Sequence, residues 1–290
     1  MDLARLIAQH ITSDGEQATS IPRLDLVRRS RPTGPVHSMH EQAVVFVASG
    51  YKRVVIANEI FTNGPDKFLI VSVGVPVIGE VTAATPAAPY LCMRLHLNLP
   101  ILRELLTEAP LDHRFHEAGG LGLSLGRVTP ELLAAATRLV ALLTSPRDIP
   151  VLAPLAEREI LYRLLLTDQA ARLRQIARAD SKLSQVGKAI DVIKRNFDKP
   201  LRMTEVARKA GMSPSSLNEH FKAATSMSPL QYQKHVRLQA PRHLIFNESI
   251  NAASAAHRVG YESPSHFSRD YRRLFGEPPG RDAARRLQRA

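Results

Sequence analysis

Arg269 and Arg272 carry flat, permanently charged guanidinium forks, the side chains best matched to phosphate oxygens and to the O6 and N7 edge of guanine. Placed on a helix, Ser265, Ser268, Arg269 and Arg272 fall on one polar, cationic stripe. Phe267, Tyr271 and Leu274 fall at i, i+4 and i+7 on another. A face of hydroxyls and guanidinium groups, backed by an apolar one, is equipped to bind a polyanion rather than to make or break a covalent bond. The same division occurs earlier in the chain, where Ser215, Asn218, Glu219 and Lys222 face out and Leu217 and Phe221 face in.

Both stripes sit in a repeat. The stretch from Val206 to Lys222 aligns with that from Ala255 to Arg273 once one residue is added in the second turn. Gly211 then pairs with Gly260, Ser213-Pro214-Ser215 with Ser263-Pro264-Ser265, and Leu217 and Phe221 with Phe267 and Tyr271. In each copy a short helix with small residues (Val206, Ala207, Ala210; Ala252, Ala253, Ala256) ends at a glycine suited to the left-handed conformation that closes a helix. A serine then caps a second helix with proline in its first turn. This is a helix-turn-helix, whose second helix is a candidate recognition helix for the major groove.

The charge supports that reading. The 290 residues carry a formal net charge of +12. Residues 181–290 hold 20 Lys and Arg against 9 Asp and Glu, leaving 19 against 18 in residues 1–180. A neutral segment joined to a strongly basic one points to nucleic acid, the alternative being a basic face kept for solubility.

The tandem pair, the joining segment SPLQYQKHVRLQAPRHLI and the closing VGYESPSHFSRDYRRLFGEPPG resemble the DNA-binding region of the AraC/XylS family of bacterial transcription regulators. The resemblance covers about Leu183 to Asp282. It implies seven helices, with two helix-turn-helix units held apart by a long linker helix so that one chain reads two adjacent major-groove segments. Carried over by position, Ser215, Asn218 and Glu219 in the first unit and Pro264, Ser265 and Arg269 in the second would face bases. Lys222 and Arg272 complete the expected DNA-binding set. Two positions depart from the family pattern. Glu219 stands where a basic or neutral polar residue is usual, and a carboxylate only accepts, for example from cytosine N4. Pro241 stands where the linker helix usually has Ala. The stretch Pro229 to Phe246 should form that helix, with a kink at Pro241 or a stop near Gln239.

The first 180 residues read differently. Between Arg23 and Leu97 the runs AVVFVASG, KRVVIANEIF, KFLIVSV, VIGEVTA and YLCMRLHL, separated by turn signals, suit a small barrel or sandwich. From Pro100 onward, ILRELLTEA, PELLAAATRLVALLT and LAPLAEREILYRLLLTDQAARLRQIARA show helical spacing. This half is similar to the cupin-like amino-terminal domain of one AraC subgroup. The expected fold class is therefore α+β: a cupin-like β-barrel with a helical appendage over residues 1–180, and an all-α tandem helix-turn-helix domain over residues 181–290. The resemblance implies an effector-binding and dimerisation role for the first part. It also implies promoter DNA, a second copy of the chain, a small-molecule effector and RNA polymerase as partners, with no cofactor and no metal.

Within YLCMRLHL, alternation puts Tyr90, Cys92, Arg94 and His96 on one face and Leu91, Met93, Leu95 and Leu97 on the other. If the polar set faces inward, Arg94 can pair with an anionic effector and Tyr90 can stack or hydrogen-bond. If it faces solvent, the Leu/Met set is the core and there is no site. Alternation fixes the faces but not which one is inside.

Other signals point elsewhere. Gly122 to Gly126 satisfies GxSxG, but a nucleophile elbow needs a strand before it, a helix after it and a βαβ series that this chain lacks. His37 and His40, and His113 and His116, have metal-ligand spacing without the cupin HxH signature. Cys92, the one cysteine, reads as a small buried hydrophobe or as an oxidant sensor, and excludes a disulfide framework. MDLARLIAQH has an acid at its second position and no basic n-region, and FLIVSVGVPVIG is too short and broken to span a bilayer. The expectation is a soluble cytoplasmic regulator. The alternatives are a cupin-type enzyme with a DNA-targeting module, and a constitutive DNA binder whose first domain only dimerises.

Overall fold

Short alternating runs give strands in the first half of the chain, and 3- and 4-residue spacing gives helices in the rest. The computed structural model describes residues 2–108, 120–247 and 251–282. His113 and His116 lie outside them. The chain divides into two compact units, 1–36 with 40–184, and 185–290 with 37–39.

The first unit opens with helix α1 (Leu3–His10), whose Asp2 cap accepts from the Ala4 amide. Strands β1 (Gly15–Ala18), β2 (Leu24–Arg29), β3 (Val36–His40), β4 (Ala43–Ser49), β5 (Tyr51–Ile56), β6 (Glu59–Asn63), β7 (Lys67–Val71), β8 (Val75–Ala83) and β9 (Tyr90–His96) follow. Helix α2 (Leu99–Glu108), strand β10 (Leu123–Arg127) and helices α3 (Pro130–Ala141), α4 (Ile149–Leu165) and α5 (Ala170–Ala177) complete it. Instead of closing into one barrel, the strands form a six-stranded sheet, β1-β2-β9-β4-β7-β10, and a four-stranded sheet, β3-β8-β5-β6. The chain crosses between sheets at Gly50, with φ at +75°, where an added Cβ would crowd the Ala83 carbonyl and Tyr90. Register shifts on either side, between Val47 and Ser49 and between Tyr51 and Lys52, break the ladders at this corner.

One face of the six-stranded sheet packs Leu24, Leu26, Val44, Phe46, Phe68, Ile70, Leu91, Met93 and Leu95 against apolar residues of α1, α3 and α4. Arg23, at φ +66°, binds the buried Glu157 of α4 through Nε at 2.9 Å and Nη2 at 2.5 Å. That bidentate pair satisfies a carboxylate that would otherwise be buried uncompensated.

The second unit comprises α6 (Lys182–Arg195), α7 (Met203–Ala210), α8 (Pro214–Thr225), α9 (Pro229–Asn247), α10 (Ala252–Arg258) and α11 (Pro264–Phe275), and residues 279–282 are also helical. The linker helix α9 is one helix of 19 residues that continues through Pro241. No helix among the described residues is long and apolar enough to cross a membrane.

Candidate nucleic-acid interface and candidate effector site

The two turns of the repeat close with the same hydrogen bonds. After α7 the Gly211 amide donates to Arg208 and the Met212 amide to Ala207, while after α10 Gly260 donates to His257 and Tyr261 to Ala256. Both glycines take positive φ, +72° and +80°, as this helix ending requires. An added Cβ at Gly260 would also overlap the backbone of Asp198. Ser213 then caps α8 by accepting from Ser216, and Ser263 caps α11 by accepting from His266.

Burial assigns the faces of the two second helices. On α8, Leu217 and Phe221 are buried while Ser215, Asn218, Glu219 and Lys222 are exposed. On α11, Phe267 and Tyr271 are buried while Ser265, Arg269, Arg272 and Arg273 are exposed, and Pro264 at the helix start is half-buried. A shallow concavity lined by Ser268, Arg269, Arg272, Arg273, Gly276 and Pro278 lies at the end of α11. Arg273, which was not in the expected set, is also exposed and lies about 40° from Arg269 around the helix. The exposed face of α8 carries Glu219 and Lys222, which cancel, whereas that of α11 carries three arginines.

In the first unit β9 is covered on both faces. Leu91, Met93 and Leu95 join the helix-side core, while Tyr90 and Cys92 are buried on the side that meets the four-stranded sheet. Tyr90 and Cys92 of the polar set thus face the interior between the sheets, while Arg94 and His96 are only partly buried. Burial, with the neighbouring Cys92 acting in the same direction, raises the Tyr90 phenol well above its ordinary range. Burial likewise raises the Cys92 thiol, which stays protonated and poorly reactive. Arg94 is engaged by Glu16, through both guanidinium nitrogens, and lies 3.8 Å from Asp25. His96 Nε2 is 2.9 Å from Asp25 Oδ2.

The four-stranded sheet contributes what the sequence did not reveal. Lys52 of β5 reaches this region, its Nζ 3.5 Å from His40 Nε2 of β3. Burial lowers the Lys52 ammonium from its ordinary range. Burial, then the charges of Lys52 and Arg94, hold His40 well below the ordinary imidazole range. Asn63, the cross-strand partner of Lys52, is 2% exposed, and its Oδ1 has no hydrogen-bond partner although its Nδ2 reaches the Val45 carbonyl at 3.4 Å. Lys52 thus stands opposite a buried unsatisfied amide and near His40, with Val54 and Ile56 buried further along β5 and Val45 and Val47 buried on β4 of the other sheet.

The GxSxG segment lies in β10, an edge strand paired with β7, so Ser124 is mid-strand rather than at a strand-to-helix elbow. Among the described residues no group of three or more His, Cys, Asp or Glu could hold a metal ion.

Residues 20–172 match the family model described as the AraC-type transcriptional regulator N-terminus, and residues 206–285 match one described as a helix-turn-helix domain. The transcriptional regulator GlxA of Rhizobium meliloti is 33% identical over 84 residues, which are 29% of this chain and 26% of that protein. The regulator ArgR of Pseudomonas aeruginosa is 25% identical over 154 residues, 53% of this chain and 47% of that one. The chain thus matches less than half the length of each of these curated relatives. The solved structure of ToxT from Vibrio cholerae with an unsaturated fatty acid bound superposes with a TM-score of 0.59 over 90% of this chain and 94% of that one, at 9% identity. At that identity the likeness is one of fold.

Proposed function

The chain belongs to the AraC-type transcriptional regulators, and from that premise we propose that it binds promoter DNA with α8 and α11 and regulates transcription in response to a small molecule. The observation that carries the DNA reading is the repeated unit with its second helices exposed: Ser215, Asn218, Glu219 and Lys222 on one, Ser265, Arg269 and Arg272 on the other, with the half-buried Pro264 at its start. Arg269 donates to a guanine edge, and Lys222 and Arg272 contact phosphate. Occupancy of a promoter then acts through RNA polymerase, and the protein works where the chromosome is, in the cytoplasm. Titration of the full chain on pooled genomic fragments at several salt concentrations tests this. Specific fragments should be retained, with log affinity falling linearly with log salt. Uniform binding to every fragment would contradict the reading.

For the effector, the buried region beside β9 is the proposed site, with Lys52 and His40 added to Tyr90, Cys92, Arg94 and His96. Arg94 is already neutralised by Glu16 and Asp25, so Lys52 is the cation available to an anionic group. A carboxylate effector with an apolar body suits an ammonium set among Val45, Val47, Val54 and Ile56. The fatty acid in the ToxT structure supports this class of ligand. Thermal shifts with a panel of carboxylic acids and their methyl esters test it, the acids stabilising the wild type but not Lys52→Met.

A second copy of the chain is the proposed partner of α4. Val151, Leu155 and Leu166 are 67%, 60% and 55% exposed, and with Tyr162 they form one stripe along α4 and its C-cap. Charged pairs flank it, Arg158 with Glu104 and Glu108 on one side and Glu159 with Arg138 and Arg163 on the other. An apolar seam between flanks of mixed sign is suited to self-association.

A further inference from the structure

We propose that Asp270 is a positioning residue that sets the register between the two reading helices by tying α11 to the linker helix, an inference that rests on the DNA-binding reading above. Asp270 lies on α11 beside Arg269 but its carboxylate is turned away from the exposed face. Lys234 Nζ of α9 is 2.7 Å from Oδ1, and the Tyr261 hydroxyl in the turn donates to Oδ2 at 3.2 Å. Each oxygen is therefore held by a different element, which fixes α11 both along its axis and in rotation.

The linker helix makes this tie matter for both heads. Tyr232 of α9 is buried edge-on against Phe221 of α8, with ring centroids 5.3 Å apart and an interplanar angle of 85°. Lys234, two residues further on, emerges on nearly the opposite side of the helix, since successive residues turn by about 100°. One turn beyond it, Leu238 enters the core formed with Ala256, Val259, Phe267 and Tyr271. Helix α9 thus touches α8 on one side and α11 on the other. Apolar contacts of this kind tolerate rotation and sliding better than a carboxylate engaged at both oxygens does. The first helix-turn-helix has no counterpart of the tie: His220 occupies the place of Asp270, and Met212 that of Tyr261. Lys234 has a second consequence, because it neutralises an acid that would otherwise repel phosphate next to Arg269.

The test uses the full chain. A target is first selected from a pool of random duplexes with the wild-type protein. Affinity is then measured on that target, on a version with one base pair inserted between its two half-sites, and on each half-site alone. The ratio between correct and shifted spacing should fall about fivefold in Asp270→Asn and in Lys234→Gln, with half-site preferences unchanged. The exchange Lys234→Asp with Asp270→Lys should restore it. Lys234 is partly exposed, so Lys234→Gln reports even if Asp270→Asn fails to fold. An unchanged spacing ratio in folded variants would overturn the proposal, even with a lowered melting temperature. So would loss of affinity in equal measure on all four duplexes, or a wild-type target with only one half-site. Failure of the wild type to select any sequence would instead overturn the DNA-binding reading.

Discussion

Glu219 and Arg269 occupy equivalent places in the two copies of the repeat and carry opposite charge. Both are exposed on their helices, so in the proposed DNA complex the two heads would present an acceptor and a donor to the same relative position in the groove. Replacing Arg269 with Ala should cost about 1–3 kcal/mol on the specific target and relax preference at one base pair. Replacing Lys222 with Ala should weaken all sequences alike and reduce the salt slope by about 1. Titrations of both variants on matched and mismatched duplexes separate these effects. In the first unit, His40 is held neutral by burial and by Lys52 and Arg94, so its folded pKa lies below the unfolded value. The unfolded chain then binds more protons as pH drops below about 6.5, and stability is present above that pH and lost on acidification. His40→Gln should flatten the stability profile between pH 7 and 5, measured by denaturant unfolding. Residues of the repeat were legible because one helical period carries them all. Lys52, His40, Asn63 and Glu16 were not, because strands far apart in sequence meet only through sheet topology, which no local pattern encodes.

At the scale of elements, α4 and β9 show where periodicity stops. The helical spacing of PLAEREILYRLLL announces a helix, but its apolar residues exceed what one core face can bury. The surplus emerges as Val151, Leu155, Tyr162 and Leu166 on the outside. Leu155→Glu should raise the dissociation constant of the proposed dimer about tenfold or more while leaving the fold intact, because the side chain is exposed. Sedimentation of the full chain across concentrations decides it, and an unchanged association state would remove α4 from the interface. β9 was ambiguous because alternation assumes one wet face, whereas a strand between a helical layer and a second sheet is covered on both. Strand spacing suited a small barrel or sandwich without choosing between them, and the strands form two sheets because Gly50 and the register shifts around it turn the chain out of the first ladder. The linker helix was legible in its span, and its passage through Pro241 means the proline does not end it.

At the scale of the whole chain, charge is divided as function would require. Residues 181–290 carry a balance of +11, and within them α11 is the more cationic of the two reading helices. In the proposed complex the second head would therefore supply more of the non-specific attraction, while the first, with Glu219 and Lys222 cancelling, would contribute mainly selectivity. In the proposed complex one chain reads two adjacent groove segments, and hydroxyl-radical footprinting of the full chain on its bound target checks this. Two protected patches are expected on one side of the duplex, about 10 base pairs apart centre to centre, with the patch under α11 fading in Arg269→Ala. A single protected patch, or two that both survive the loss of Arg269 unchanged, would contradict it.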